Sequence, residues 1–324
     1  MKHGFIPVVS TLALSMALSS NMAFAQDYTL RLNHTGAPSH HYQTITEQFA
    51  AEIAQKTDGA VEIQVFPSDQ LGNQLESVEG TMIGTLEMTL ASDTVLSNWV
   101  PDMGMLNLPF LFEDMDEYLE AVEGPVGDML SAQVENQGAV IIGWWGNGMR
   151  HVTNSVRPIN KPEDLEGLKI RVPEGKVFVD TFKTLGAGAT VMSFGELYSA
   201  LQLGVVDGQE NPPAHILTQN FNEVQDYVSR TGHIHMGSPL IMNANLFYSM
   251  PEDIQKTLLE VGREYDRKHI DLIANLEAEQ WKAVAERGMK INDVDKSLFR
   301  KAVQPVYDDA AATFNQDILN QLTQ

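Results

Sequence analysis

An arginine inside an apolar strand is the residue of this chain best placed to do chemistry. Arg171 interrupts the run Leu168–Val172, and Pro173 ends the predicted strand, because proline cannot donate a hydrogen bond to a neighbouring strand. A guanidinium there presents a planar fork of donors that matches a carboxylate. The pattern indicates either a binding site for a carboxylate or an ordinary ion pair between Arg171 and an acidic neighbour.

A polar run, Asp207–Asn211, lies where a second predicted strand ends. In sheets of parallel strands, ligands bind beyond the carboxyl ends of the strands. We therefore expect the run and Arg171 to lie at the same edge, with Asn211 supplying a neutral amide beside the guanidinium. The pair Asp207 and Glu210 could suggest acid–base chemistry, but we expect these two carboxylates to cap backbone groups.

The elements that must position these residues form a β-α-β-α-β unit. An amphipathic helix is predicted over Lys176–Leu185 and a strand over Ala189–Met192. A second helix follows over Phe194–Leu203, and a short strand over Val205–Asp207. This alternation predicts an α/β fold with mixed, mostly parallel sheets and helices on their faces.

The rest of the chain repeats this alternation of strands and helices. Strands are predicted over Tyr28–Leu32, Val61–Phe66, Met88–Ala91, Ala139–Trp145, Tyr227–His235 and Leu240–Asn245. The first helix is predicted to start after His40 and to run to about Lys56, and further helices are predicted over Leu71–Gly84, Asp116–Gln137 and Lys296–Leu322.

One helix is predicted to be unusually long. It begins after Ser249, which we expect to cap it with Glu252 three residues on, and no strong breaker follows until Gly288. About 36 residues would span roughly 54 Å, long enough to connect two lobes. The alternative is two ordinary helices broken near Gly262.

The chain ends and the composition restrict the class of protein. Residues 1–25 carry Lys2, an apolar stretch and the small-residue site Ala23-Phe24-Ala25, which together predict a secretory signal cleaved after Ala25. The remaining chain has 20 Lys and Arg against 43 Asp and Glu, a formal charge of −23. Such a chain is a poor partner for nucleic acid and for anionic membranes. Because it has no cysteine, we expect neither disulfides nor a lipid anchor, and a free periplasmic protein.

Other classes of function find less support. An exported hydrolase would need a nucleophile motif of the G-x-S-x-G kind, which this sequence lacks. The pairs His233/His235 and His40/His41 invite a metal interpretation, but no carboxylate or cysteine stands at a helpful spacing. A scaffold protein would not explain a strand arginine flanked by polar turns. We therefore expect a binding protein with neither a catalytic set nor a cofactor.

Several motifs resemble one family. Lys169–Pro173, Ser193–Gln202 and Val206–Pro212 look like the solute-binding proteins of TRAP transporters, which are tripartite ATP-independent periplasmic importers, in particular their dicarboxylate-binding (DctP) type. Phe66–Gly72 and Asn147–Asn154 extend the resemblance over the mature chain. The resemblance implies a two-lobed periplasmic binding protein that closes on its ligand and passes it to membrane permease subunits.

It also implies lobe boundaries and roles for particular residues. Residues 26–147 with 236–275 would form lobe I, and 148–235 with 276–324 lobe II, bridged by the long helix. Arg171 would form a salt bridge with the ligand carboxylate, and Asn211 would hold the same carboxylate. The ligand would also contact Arg150 and Phe194.

The first-lobe positions that the resemblance suggests align with the family less closely than the second-lobe motifs do. The candidates there are His34, His40, Gln74, Glu76, Ser92 and Asp93. Ser92 stands where the sialic-acid receptors of the family have a glutamate, and Arg150 is retained, so sialic acid and amines are not expected. Groups that match hydroxyls favour a sugar acid such as D-glucuronate or D-galacturonate. A C4-dicarboxylate or a 2-oxo acid remains the alternative.

Overall fold

The computed structural model describes residues 28–323, together with Met1 and Gly4, so the predicted signal and its cleavage site lie outside the main described range. The strands are β1 (Tyr28–His34), β2 (Val61–Phe66), β3 (Met88–Leu90), β4 (Ala139–Gly143), β5 (Gly146–Asn154), β6 (Lys169–Val172), β7 (Gly188–Val191), β8 (Gly208–Asn211), β9 (Tyr227–Gly237), β10 (Leu240–Asn243) and β11 (Lys290–Asp293). The α-helices are α1 (His41–Lys56), α2 (Gln74–Ile83), α3 (Asp93–Leu96), α4 (Met115–Glu123), α5 (Pro125–Asn136), α6 (Lys176–Thr184), α7 (Leu197–Gln202), α8 (Pro213–Thr218), α9 (Ala244–Ser249), α10 (Glu252–Glu286), α11 (Lys296–Ala302), α12 (Gln304–Thr313) and α13 (Gln316–Leu322). Short 3-10 helices cover Pro101–Asn107, Pro162–Leu165, Phe194–Glu196 and Phe221–Glu223.

The strands form two mixed sheets, as the α/β prediction requires. The first sheet has the order β2-β1-β3-β10-β4, and the second has the order β11-β9-β5-β8-β6-β7. The neighbours of β1 and of β6 are parallel to them, whereas β10 and β5 run antiparallel to their neighbours. The fold is therefore a two-lobed α/β fold with one sheet in each lobe.

The chain passes between the sheets at three places. It leaves the first sheet after β4 and enters the second at Gly146, and it returns between Gly237 and Leu240. Helix α10 contacts α1 and β4 on one side and α8 on the other. The tail helices touch both parts, since α12 packs on α6 and α13 packs on α5. The lobe boundaries stay a prediction.

The long helix is continuous, as predicted. Gly262 does not break it. A Cβ at this position would lie 1.9 Å from the Ile142 carbonyl oxygen, so the glycine allows α10 to approach β4 closely. The proposed cap is wrong, since Pro251 occupies the N-cap position and the Ser249 hydroxyl donates to the Leu246 carbonyl. Among the described residues, no helix is both long and apolar enough to cross a membrane.

Other element predictions need correction. The single helix over Asp116–Gln137 is two helices, because Gly124 and Pro125 end α4 and begin α5. The strand predicted at Val205–Asp207 begins three residues later and covers Gly208–Asn211, so most of the polar run forms the strand β8. Strand β11 was not predicted. The helical segment predicted over Lys296–Leu322 consists of the three helices α11, α12 and α13.

Candidate ligand-binding site

Arg171 lies in the second sheet with its charge unpaired. It is 2% exposed, and its Nε and Nη2 groups both donate to the Met192 carbonyl, at 3.0 and 2.8 Å. Among the described residues, no carboxylate lies within ion-pair distance of this guanidinium. Burial lowers the pKa of Arg171 to about 10, against the attraction of Glu174. The simple ion-pair interpretation is therefore not supported, and an anion that reached Arg171 would offset the cost of its burial.

Asn211 and Phe194 lie beside Arg171. Gln209 of β8 pairs in register with Arg171 of β6, so alternation puts Asn211 on the same face of the sheet as the guanidinium. The Asn211 Nδ2 group donates to Gln209 Oε1 at 2.5 Å, which orients the amide. The guanidinium carbon of Arg171 lies 5.8 Å from the centroid of the Phe194 ring. The structure thus brings together three of the predicted site residues.

Arg150 has a partner within the protein. Its Nε and Nη2 groups donate to the two carboxylate oxygens of Glu210 at 2.5 and 2.7 Å, and Nη2 also donates to the Glu210 carbonyl at 2.6 Å. Both side chains are buried, and His233 Nε2 lies 3.1 Å from Glu210 Oε2. Burial would raise the pKa of Glu210, but the charge and hydrogen bonds of Arg150 hold it below its ordinary value. The charge of Arg150 is therefore largely neutralised.

The two acids of the polar run behave differently. Asp207 caps a backbone group, as expected, since its Oδ2 accepts from the Lys169 amide at 2.8 Å. The same expectation is wrong for Glu210, because its carboxylate pairs with the Arg150 side chain instead.

Histidine rings connect the surroundings of Arg171 to the first lobe. His40 and His215 stack with their centroids 4.1 Å apart and their planes at 19°, and His215 meets the Phe194 ring edge-on at 4.9 Å. His41 Nδ1 lies 2.7 Å from His269 Nε2, and His34 Nε2 lies 3.0 Å from Gln43 Oε1. Sequence reasoning missed His215, whose one signal is its place in the first turn of the helix that follows the Gln-Glu-Asn-Pro motif.

These histidines are held neutral. Burial lowers the pKa of His34 to about 4 and that of His41 to about 3, and it lowers those of His40 and His215 well below the ordinary value. A neutral imidazole has one donor and one acceptor nitrogen. Among the first-lobe rings, His40 Nε2 is buried without a hydrogen-bond partner in the described structure, while His34 and His41 also meet the backbone of Gly36 and of Asn147. A ligand hydroxyl group, which both donates and accepts, suits a nitrogen such as His40 Nε2.

The remaining first-lobe candidates make structural contacts. Glu76 is exposed and forms a capping box with Asn73 at the start of α2. Gln74 Oε1 accepts from the backbone amide and the hydroxyl of Ser92, at 2.8 and 2.9 Å. Asp93 is buried and accepts from the Gly237 amide at 2.9 Å, and burial raises the pKa of its carboxyl to about 7. Their ligand contacts stay a prediction.

The two lobes also touch beside Arg171. Asn98 Nδ2, just after α3, donates to the Glu174 carbonyl at 2.9 Å. A Cβ on Gly175 would lie 1.9 Å from Thr94 Oγ1, so a larger residue would force this contact to shift. Within the described part of the chain, no group of three or more His, Cys, Asp or Glu is arranged to hold a metal ion. The side chains of the site can pair with an anion and form hydrogen bonds.

Comparison with known proteins shows the family of the chain. Residues 32–313 match the family model described as DctP, bacterial extracellular solute-binding protein, family 7. A solute-binding protein of Roseobacter denitrificans is 34% identical over 93% of this chain and 92% of its own. The C4-dicarboxylate-binding periplasmic protein DctP of Rhodobacter capsulatus is 32% identical over 94% of this chain and 92% of its own. A TRAP periplasmic solute-binding protein of a Sulfitobacter species, solved with β-D-galacturonate, superposes with a TM-score of 0.87 at 30% identity, over 91% of this chain and 99% of its own.

Proposed function

The chain belongs to the DctP family of bacterial extracellular solute-binding proteins, the receptors of TRAP transporters, and we propose that it binds a sugar acid such as D-glucuronate or D-galacturonate. The observation that carries the proposal is the buried, unpaired guanidinium of Arg171. A ligand carboxylate would complete its hydrogen bonds bidentately. Asn211 would hold the same carboxylate, and Phe194 would lie against the carbon skeleton.

The number of free cations favours a ligand with one carboxylate. Among the described residues, Arg150 and Arg171 are the buried arginines, and no lysine is buried. Because Glu210 neutralises Arg150, a second ligand carboxylate would lack a cation and would be costly to bury. The neutral histidines of the first lobe instead suit the hydroxyls of a uronate. The galacturonate bound to the Sulfitobacter relative supports this choice, whereas the dicarboxylate name of the Rhodobacter relative keeps a C4-dicarboxylate or a 2-oxo acid as the alternative.

Closure of the lobes would complete the site. Arg171 anchors the carboxylate in lobe II, and polar groups of lobe I, with His34 and His40 the best placed, reach the ligand when the lobes close. Binding energy then selects the closed state, which the membrane permease would recognise. The protein would be exported through a signal cleaved after Ala25 and would act in the periplasm as a receptor without enzymatic activity.

Isothermal titration calorimetry of the mature protein would test the anchor. We expect galacturonate or glucuronate to bind more tightly than succinate or 2-oxoglutarate. Arg171→Ala should weaken binding at least a hundredfold, since removing one partner of a buried ion pair costs about 3–5 kcal/mol. Arg171→Lys should recover little, because a point charge cannot replace the planar fork.

The matched control is Arg263→Ala, which removes an exposed arginine on α10 and should leave the affinity unchanged. Near-native affinity in Arg171→Ala would contradict the proposed anchor. Tighter binding of succinate than of either uronate would support a receptor for small acids and contradict the choice of a sugar acid.

A further inference from the structure

Two histidines from different lobes stack directly on each other. His40 is the N-cap residue of α1 in the first lobe, and His215 lies in the first turn of α8 in the second lobe. Their ring centroids are 4.1 Å apart and nearly parallel, and both side chains are buried. The His40 ring is oriented by Tyr42, whose backbone amide donates to His40 Nδ1 at 3.2 Å. The stack is therefore a defined contact between the lobes.

The surroundings of the stack oppose a positive charge on either ring. Burial is the largest cause for both rings, and at His215 the charges of Arg150 of β5 and Arg171 of β6 add to it. Protonation of His34 of β1 or His41 of α1 would act in the same direction on both rings, and protonation of His269 of α10 on His40. A charge on His215 would also oppose a charge on His40. Tyr42 packs edge-on against both rings, at 4.5 and 5.7 Å. A ligand carboxylate would pair with Arg171 and cancel the repulsion from that residue alone.

We propose that His40 and His215 form an interlobe clasp, in which two uncharged imidazole rings stack to hold the lobes closed over the ligand, and that protonation of either ring opens the clasp. This inference rests on the proposed function of the same cleft. It makes His215 a positioning residue for ligand binding, acting through closure. It also provides a route for release, because acidification would weaken the closed state.

The sign of the effect follows from linkage. Burial in the closed state lowers the pKa of both rings, whereas opening returns them to water and toward the ordinary histidine pKa of about 6.5. Closure therefore releases protons, and its full stability is present above that ordinary pKa and is lost as the pH falls below it. Between pH 7.5 and 5.5 the affinity should fall about tenfold for each ring that titrates, and about a hundredfold for both.

Calorimetry with galacturonate or glucuronate at pH 7.5 and 5.5 tests the clasp. His215→Phe keeps a flat ring but cannot be protonated, so its affinity at pH 7.5 should stay near that of the wild type while the loss at pH 5.5 shrinks to about tenfold. His215→Ala removes the ring and should weaken binding at pH 7.5, mainly through faster dissociation. His215→Gln serves in place of the phenylalanine variant if that variant does not fold by circular dichroism.

The matched control is His151→Phe, which replaces another buried histidine of the second lobe, packed on Trp281 at 4.9 Å. It should leave the pH dependence of the wild type intact. An affinity that is independent of pH, or rises on acidification, would overturn the clasp. So would an equal pH dependence in the wild type and in His215→Phe.

A second measurement separates this inference from the proposed function. If no acid binds the wild type at pH 7.5, the proposed function fails and the clasp is judged by small-angle X-ray scattering of the free protein. The clasp predicts a larger radius of gyration at pH 5.5 than at pH 7.5 in the wild type, and a smaller change in His215→Phe. An unchanged radius in the wild type would then overturn the clasp itself.

Discussion

The two sides of the cleft are built by different means. In the second lobe, Arg171 and Asn211 belong to neighbouring strands, and the helices there begin at Gly175 and Pro212, which offer no capping side chain. In the first lobe, His34 ends strand β1, and the other candidate polar residues lie at the N-termini of α1, α2 and α3, where polar side chains commonly serve as caps.

This difference leads us to expect different roles for the two lobes in ligand binding. Strand β6 is held by β7 on one side and β8 on the other, so we expect Arg171 to keep its place whether or not a ligand is bound. A residue at a helix N-terminus already has a local partner, as Glu76 has in Asn73. We infer that the second lobe carries the invariable carboxylate anchor, while the first lobe supplies weaker and more adaptable contacts.

The largest expected effect concerns the buried ion pair of the second lobe. Glu210→Gln would leave Arg150 as an uncompensated buried cation, which should lower the free energy of unfolding by about 3–5 kcal/mol. Urea denaturation measures this, with Glu223→Gln as the control, since that exposed carboxylate bonds only the Tyr198 hydroxyl in the described structure. A loss below 1 kcal/mol would mean that Arg150 is paired weakly and is available to a ligand.

An intermediate effect is expected where the lobes meet. Gly175→Ala places a methyl group 1.9 Å from Thr94 Oγ1, so the closed state must shift to accept it. Overpacking of this kind costs about 1–3 kcal/mol, which should weaken ligand affinity by about 5-fold to 150-fold. Gly195→Ala is the control, because nothing lies within 4 Å of a Cβ there. An unchanged affinity in Gly175→Ala would show that this contact is absent from the ligand-bound state.

The sequence predicted the fold better than it predicted the site. Apolar periodicity located most helices and strands and the unbroken α10, because burial of one face imposes that period. The range of strand β8 was not predicted, because its residues, Gly-Gln-Glu-Asn, have low strand propensity. They are polar because they bond Thr153, Arg150 and each other, and these contacts are visible only in three dimensions.

The site itself was partly predictable for the same physical reason. Arg171 stood out because a lone cation in an apolar strand has no local explanation. Glu210 and His215 did not stand out, since an acid in a polar run or a single histidine on a short helix has many ordinary roles. In the first lobe, a residue type that suits a ligand also suits a helix cap, so the pattern alone cannot separate the two.

The smallest expected effect tests that ambiguity at Glu76. Glu76→Gln keeps an oxygen that can accept from the Asn73 amide, so stability should fall by less than about 1 kcal/mol and ligand affinity by less than about threefold. Glu79→Gln, an exposed acid on the same helix, is the control. A loss of more than tenfold in affinity with unchanged stability would make Glu76 a ligand contact. The first lobe would then bind the ligand with a charged group, and the contrast between the two sides of the cleft would no longer hold.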